Sequence, residues 1–202
     1  MIRLSDPIII GALSYLIGNF SSAYILGKIL KKTDIRTYGS GNAGATNALR
    51  VFGKKVGILA FIFDVLKGIL AVYIGGRIMG DKGKLIAAVF VVLGHNWPVF
   101  LKFKGGKGIA TSLGVLLYLH FPTAIVCIAI GLLVIIKTRY VSLGSIICAC
   151  LVPIIGTIMN RPFNRDYFIV TLILGVLAIF KHRSNIKRLI DGKEFKLGEK
   201  IK

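Results

Sequence analysis

Apolar residues run along this chain in long blocks separated by polar clusters, without the period-two alternation of a half-buried sheet. The blocks predict membrane helices over residues 7–30, 55–76, 84–101, 108–120, 122–137, 140–159 and 165–181. A full crossing needs about 20 residues at 1.5 Å each. The segments 108–120 and 122–137 are short separately and too long for one helix together. Pro122 lies between them, where proline can open a new helix. Two short or tilted helices joined by a tight outer turn bring the count to seven. Gly18, Gly68, Gly114, Gly131, Gly144, Gly156 and Gly175 fall inside these spans and predict close helix packing. The fold class is therefore all-α, a polytopic integral membrane protein with seven transmembrane helices. One transmembrane domain covers 1–202, with a tail over 182–202.

Composition supports a lipid solvent. The 202 residues are 55% hydrophobic and only 17% charged, with a mean hydropathy of +0.77, which excludes an ordinary water-soluble globule. Lys and Arg number 27 against 8 Asp and Glu, a net charge of +19. Twenty of the basic residues fall in 28–55, 102–107, 137–139 and the tail from Lys181 onward, whereas Arg3, Arg77, Lys82, Lys84, Arg161 and Arg165 fall on the other side. The positive-inside rule puts the N-terminus outside and the C-terminus in the cytoplasm, which requires an odd number of spans. Arg3 gives a weak basic start of the signal-peptide kind. No small-residue cleavage site precedes Lys28, so the first block reads as a retained helix. Basic residues distributed over membrane loops favour anionic headgroups or phosphorylated substrates and argue against nucleic acid. Cys127, Cys148 and Cys150 lie in apolar runs and read as small hydrophobes. Asp64 and Lys67, three apart on one helix face, are either a structural pair or a wall of an active cavity.

Three polar stretches share the cytoplasmic side. The first, Arg36-Thr-Tyr-Gly-Ser-Gly-Asn-Ala-Gly-Ala-Thr-Asn47, is followed by Arg50. Its small residues let backbone approach a ligand, Ser40, Asn42, Thr46 and Asn47 offer hydrogen bonds beside Gly41, and Arg50 offers a fork to a phosphate. In the second, Lys102-Phe-Lys-Gly-Gly-Lys-Gly108, Lys104 and Lys107 flank Gly105, Gly106 and Gly108 in an arrangement suited to an anion-binding nest. The P-loop spacing and its sheet context are missing, so phosphate affinity follows but nucleotide hydrolysis does not. The third, Lys181-His-Arg-Ser-Asn-Ile-Lys-Arg188, sets His182 and Asn185 three apart. His95, in Gly94-His-Asn-Trp-Pro98, is an interface anchor, a structural hydrogen bonder or a substrate contact. His120 lies on the outer side with no role assigned. There is no zinc-ligand pattern and no acid pair of the glycosidase kind. His95 is followed five places later by Phe100, where a common acyltransferase arrangement has Asp. A substrate that arrives already activated fits this limitation.

The blocks Tyr38 to Asn47, Gly94 to Pro98 with Phe103-Lys-Gly-Gly-Lys-Gly-Ile-Ala-Thr111, and His182 to Arg188 resemble, in order and over essentially the full chain, the small bacterial membrane glycerol-3-phosphate acyltransferases that use acyl phosphate. The resemblance implies transfer of a fatty acyl group from acyl phosphate to the 1-hydroxyl of sn-glycerol 3-phosphate, giving lysophosphatidic acid and inorganic phosphate. It implies a multi-pass protein of the bacterial inner or plasma membrane, its site facing the cytoplasm, with no metal or cofactor. Acyl phosphate, glycerol 3-phosphate and membrane lipids are its partners; no protein partner is named, and a monomer is compatible. By the family motifs, Arg50 and Lys107 contact substrate phosphate, Ser40 stands at the reacting centre, and His182 and Asn185 hold glycerol phosphate. Ser142 matches a further family position. The ending Asp191-Gly-Lys-Glu-Phe195 resembles the family's own, and the last charged residues are expected to fray.

Two other classes remain open to a sequence of this kind. A transporter of phosphorylated solutes fits glycine-interrupted helices, but no inverted repeat is visible. A structural protein whose basic loops bind headgroups is the other.

Overall fold

Backbone contacts through glycine decide how the helices meet. The computed structural model describes residues 6–199, in which every regular element is helical. The weak basic start at Arg3 and the tail cations Lys200 and Lys202 lie outside the described residues. The chain divides into two compact units, 6–119 and 120–199 among the described residues.

In the first unit, α1 (Asp6–Asn19) and α2 (Ser22–Lys31) are separated by a break at Phe20 and Ser21. A polar turn then leads to α3 (Ala45–Phe52), α4 (Lys54–Asn96) and α5 (Ile109–Leu119). α4 is not one straight rod. Met79 and Gly80 leave helical geometry, Gly80 at φ +60°, and Gly75 lies against Gly83 and Ala87. Residues eight apart on a straight helix would be about 12 Å distant, so α4 is a hairpin of two antiparallel halves, 54–78 and 81–96. The polar run around Arg77, Asp81, Lys82 and Lys84 marks the reversal, as the sequence expected between 55–76 and 84–101.

The seams are made of small residues. A Cβ on Gly18 of α1 would meet the Val91 carbonyl and Gly94 Cα on the second half of α4. Gly68 abuts the Thr111 carbonyl of α5, and Gly114 abuts the Val65 carbonyl. Apolar driving force is weak between helices in lipid, and close backbone approach supplies the van der Waals contact instead. Large apolar side chains such as Ile58, Phe61 and Leu66 face outward.

The second unit contains α6 (Phe121–Thr138), α7 (Val141–Met159), α8 (Arg165–Lys181) and α9 (Arg183–Ile190). Pro122 sits in the first turn of α6, and His120 caps it, its ring nitrogen accepting from the Thr123 amide at 3.3 Å. α5 and α6 are thus separate helices, broken at the expected place. Gly131 meets Cys148, Gly144 meets the Gly131 carbonyl, and Gly175 meets the Ala149 carbonyl. α8 and α9 meet at His182 with a bend of 57°. By length and composition, four helical stretches among the described residues suffice to cross a membrane, or five if the α8–α9 pair is one span.

Adding bulk at a backbone seam should be far more damaging than adding it beside a movable side chain. Gly114→Leu is expected to destabilise by about 3 kcal/mol, read as a lowered thermal midpoint in detergent. Gly131→Ala, opposed by the Cys148 sulfur alone, should lower that midpoint much less.

Candidate active site

The first unit gathers two of the three polar stretches. Asp34 opens the turn: its Oδ1 accepts from the Arg36 amide at 3.0 Å, and its Oδ2 pairs with Arg36 Nη2 at 2.8 Å. That hydrogen-bonded guanidinium holds the Asp34 carboxyl below its ordinary range, against the opposing effect of burial. Arg36 also donates to the Leu101 carbonyl at 3.0 Å and lies over Tyr24, tying the turn to the loop after α4.

Asn47 builds the first loop from inside. Its Nδ2 donates to the carbonyls of Ile35, Tyr38 and Asn42, and its Oδ1 accepts from the Ser40 amide at 2.9 Å. Gly39 and Gly41, at φ +59° and +70°, take backbone conformations that L side chains rarely adopt. Ser40 is half-buried at the bend; Thr46 and Arg50, one helical turn apart on α3, are exposed and half-buried.

The glycine loop follows α4. Pro98 halts the helix geometry, and Lys102 and Phe103 turn back with positive φ. Gly106 N donates to the His95 carbonyl at 3.0 Å, and Asn42 Nδ2 donates to the Gly105 carbonyl at 3.4 Å. Gly105, Gly106 and Gly108 are buried, Lys107 half-buried and Lys104 exposed. Ser40, Asn42 and Lys107 therefore belong to two loops that touch within one unit, and Arg50 follows the first of them on α3. His95 is buried behind the glycine loop, 2.8 Å from Lys67 Nζ. Of the two readings of Asp64 and Lys67, the structural pair is present, at 2.9 Å.

The second unit holds the third stretch. His182 stands at the α8–α9 bend, its Nδ1 2.7 Å from the Ala178 carbonyl. A carbonyl can only accept, so Nδ1 carries the proton and Nε2 is the basic nitrogen of the neutral ring. Asn185 and Ser142 both donate to Glu194 Oε1, at 2.6 and 2.8 Å, and Arg188 Nε donates to Oε2 at 2.7 Å. Burial works to raise the Glu194 carboxyl, but these three donors prevail and hold it below the usual range. Leu197 and Arg139 exchange two further bonds, at 2.7 and 2.9 Å, so the tail lies bound along the α6–α7 turn. Sequence reasoning noted the Asp191 to Phe195 ending without giving Glu194 this part. The available signal was weak, since Glu194 is one of three acids, with Asp191 and Glu199, in a tail rich in lysine.

A family model described as glycerol-3-phosphate acyltransferase matches residues 8–192. The chain belongs to the glycerol-3-phosphate acyltransferase family. The family's enzyme from Thermoanaerobacter pseudethanolicus is 54% identical over 188 residues, covering 93% of this chain and 94% of that one. The enzyme from Clostridioides difficile is 46% identical over 199 residues, covering 96% of each. The crystal structure of PlsY, an integral membrane glycerol 3-phosphate acyltransferase, matches in its glycerol 3-phosphate form with a TM-score of 0.89 and 35% identity, over 95% of this chain and 96% of that one. Its lysophosphatidic acid form matches with a TM-score of 0.86 and 34% identity, over 95% of each chain. The apolar helices of this acyltransferase accordingly belong to a multi-pass bacterial membrane enzyme of phospholipid synthesis.

Because the Glu194 carboxyl lies below the ordinary glutamate value, its contribution is complete above about pH 4.3 and is lost as pH falls through the lowered value. Glu194→Ala should lower stability at pH 7 by about 2 kcal/mol. The gap in thermal midpoint between the parent acyltransferase and Glu194→Gln should close in acid.

Proposed function

We propose that this acyltransferase moves a fatty acyl group from acyl phosphate to the 1-hydroxyl of sn-glycerol 3-phosphate, releasing lysophosphatidic acid and inorganic phosphate. The observation that carries the reading is the contact between the two polar loops of the first unit, joined by Asn42 and Gly105. It joins the segments that carry Ser40, Arg50 and Lys107 to a glycine-lined backbone, a set suited to phosphorylated substrates and to a carbonyl that develops negative charge. The glycerol 3-phosphate and lysophosphatidic acid forms of PlsY support the same acceptor and product.

In this reading Arg50 and Lys107 receive phosphate, assisted by Lys104 and the amides of Gly105, Gly106 and Gly108. Ser40 stands at the reacting carbonyl, with Gly41, Asn42 and Thr46 lining the approach and Asn47 fixing their shape. His182 and Asn185 orient glycerol phosphate, and Ser142 acts beside Asn185 through their shared carboxylate. The glycerol oxygen bonds to the acyl carbon, the bond from that carbon to the phosphate oxygen breaks, and the hydroxyl proton leaves to an acceptor not assigned to a single residue. The orienting partner of His182 is a main-chain carbonyl rather than a carboxylate, which suits a donor whose leaving group is already good.

The two units act as one acyltransferase domain over 1–202. The seven crossings count α1 with α2 as one, the halves of α4 as two, and α5 to α8 as four, with α5 short. The asymmetry of the basic loops supports an outside N-terminus, a cytoplasmic C-terminus and a site open to the cytoplasm. Glycerol phosphate reaches it from water and the acyl donor from the bilayer.

A donor comparison with purified enzyme tests the reading: acyl phosphate should give lysophosphatidic acid, and acyl-CoA and acyl carrier protein essentially none. Equal turnover with acyl-CoA would overturn it. Arg50→Ala and Lys107→Ala should each reduce turnover by about 100-fold, with membrane insertion intact. Ser40→Ala should lower kcat more than it raises either KM.

A further inference from the structure

The buried charges of the first unit converge behind the glycine loop and take no direct part in the reaction above. Lys67 Nζ stands 2.9 Å from Asp64 Oδ1, 2.8 Å from His95 Nδ1, 2.6 Å from the Phe20 carbonyl and 3.2 Å from the Gly18 carbonyl. The Ser22 hydroxyl donates to the same Asp64 oxygen at 2.8 Å. Asp64, Lys67 and His95 are 1%, 6% and 4% exposed. An ammonium cannot accept a hydrogen bond, so His95 Nδ1 receives one from Lys67 and the ring proton of the neutral imidazole sits on Nε2.

That second edge faces the loop. A Cβ built on Gly106 would meet His95 Nε2, Cε1 and Cδ2, and one on Gly105 would strike the His95 carbonyl and the Pro98 ring. The Gly106 amide donates to that carbonyl as well. The two glycines are therefore moulded on His95, and Lys107 is the next residue along the chain. A rotation of the imidazole would displace the backbone that carries this cation.

We propose that Asp64, Lys67 and His95 are positioning residues of the glycine loop. The ion pair holds the imidazole by Nδ1, and the opposite edge of the ring sets the path of Gly105 and Gly106, and with it the place of Lys107. The inference rests on the assignment of Lys107 to a substrate phosphate. His95 then acts through the loop and not by touching substrate.

The test uses the full-length purified enzyme and the variants His95→Asn, His95→Gln, Lys107→Met and His95→Asn/Lys107→Met. For each, KM for both substrates, inhibition by inorganic phosphate, kcat and thermal midpoint are measured. Asparagine keeps a group facing Lys67 Nζ and loses the Nε2 edge. It should therefore stay folded, with kcat lowered by less than in Lys107→Met. Whichever substrate KM is raised by Lys107→Met should also rise about tenfold in His95→Asn, and inhibition by inorganic phosphate should weaken equally. His95→Gln, which returns an amide to the Nε2 position, should recover most of that KM at the cost of a lower thermal midpoint. The double variant should be no worse than Lys107→Met, because both changes act on one contact.

An unchanged KM in His95→Asn, loss of fold in that variant, failure of His95→Gln to recover KM, or additive losses beside an impaired Lys107→Met would each overturn the relay and leave the phosphate site standing. Unaltered kinetics in Lys107→Met would instead remove that lysine from the phosphate site, and the relay would fall with it.

Discussion

A single ammonium group links most of the first unit. The helical ladder is interrupted between α1 and α2, and a hydrocarbon surround offers no water to the carbonyls at such a break. Lys67 meets the Gly18 and Phe20 carbonyls there, with Asp64 beside it and His95 opposite. A lone charge at this depth would be expensive, and the paired carboxylate with its Ser22 donor offsets much of that cost. The end of α1, the break after it and both halves of α4 thus meet around one nitrogen, and α2 joins them through the Ser22 bond to Asp64.

The polar loops are organised by a related device. In two of them a buried side chain at the centre collects several hydrogen bonds. In the first loop this is the Asn47 amide, which serves both as donor to three carbonyls and as acceptor from one amide. In the second unit it is the Glu194 carboxylate, which gathers Ser142, Asn185 and Arg188 from α7 and α9. A neutral amide suits a turn built from carbonyls, and a carboxylate suits a cluster of donors. The residues read as chemical from sequence are therefore accompanied by others whose work is to fix geometry.

Much of the helical architecture was legible in the chain, because long apolar blocks and their polar interruptions are local signals. The boundaries expected for 140–159 and 165–181 fall within a residue of α7 and α8, and Pro122 marked the start of α6. The break between α1 and α2 was not legible. Ser21 and Ser22 sit in an apolar run, and the groups that stabilise the break come from residues far along the chain. The short helices α3 and α9 were hidden for a different reason: at eight residues each they carry too few turns for a periodic pattern. The motif loops announced their composition but not their wiring. Nothing local distinguishes Asn47 as a scaffold from Asn42 as a bridge, or reveals that Ser142 and Asn185 share an acid 52 and nine residues away, respectively.

The break in the first helix also bears on the order of events during synthesis. Its carbonyl at residue 18 is made 49 residues before Lys67, and Lys67 in turn 28 residues before His95. During synthesis the carbonyls at this break thus precede the partners that bind them in the finished fold. The hydrogen bonding of the first element is therefore complete only once both halves of the α4 hairpin have been made.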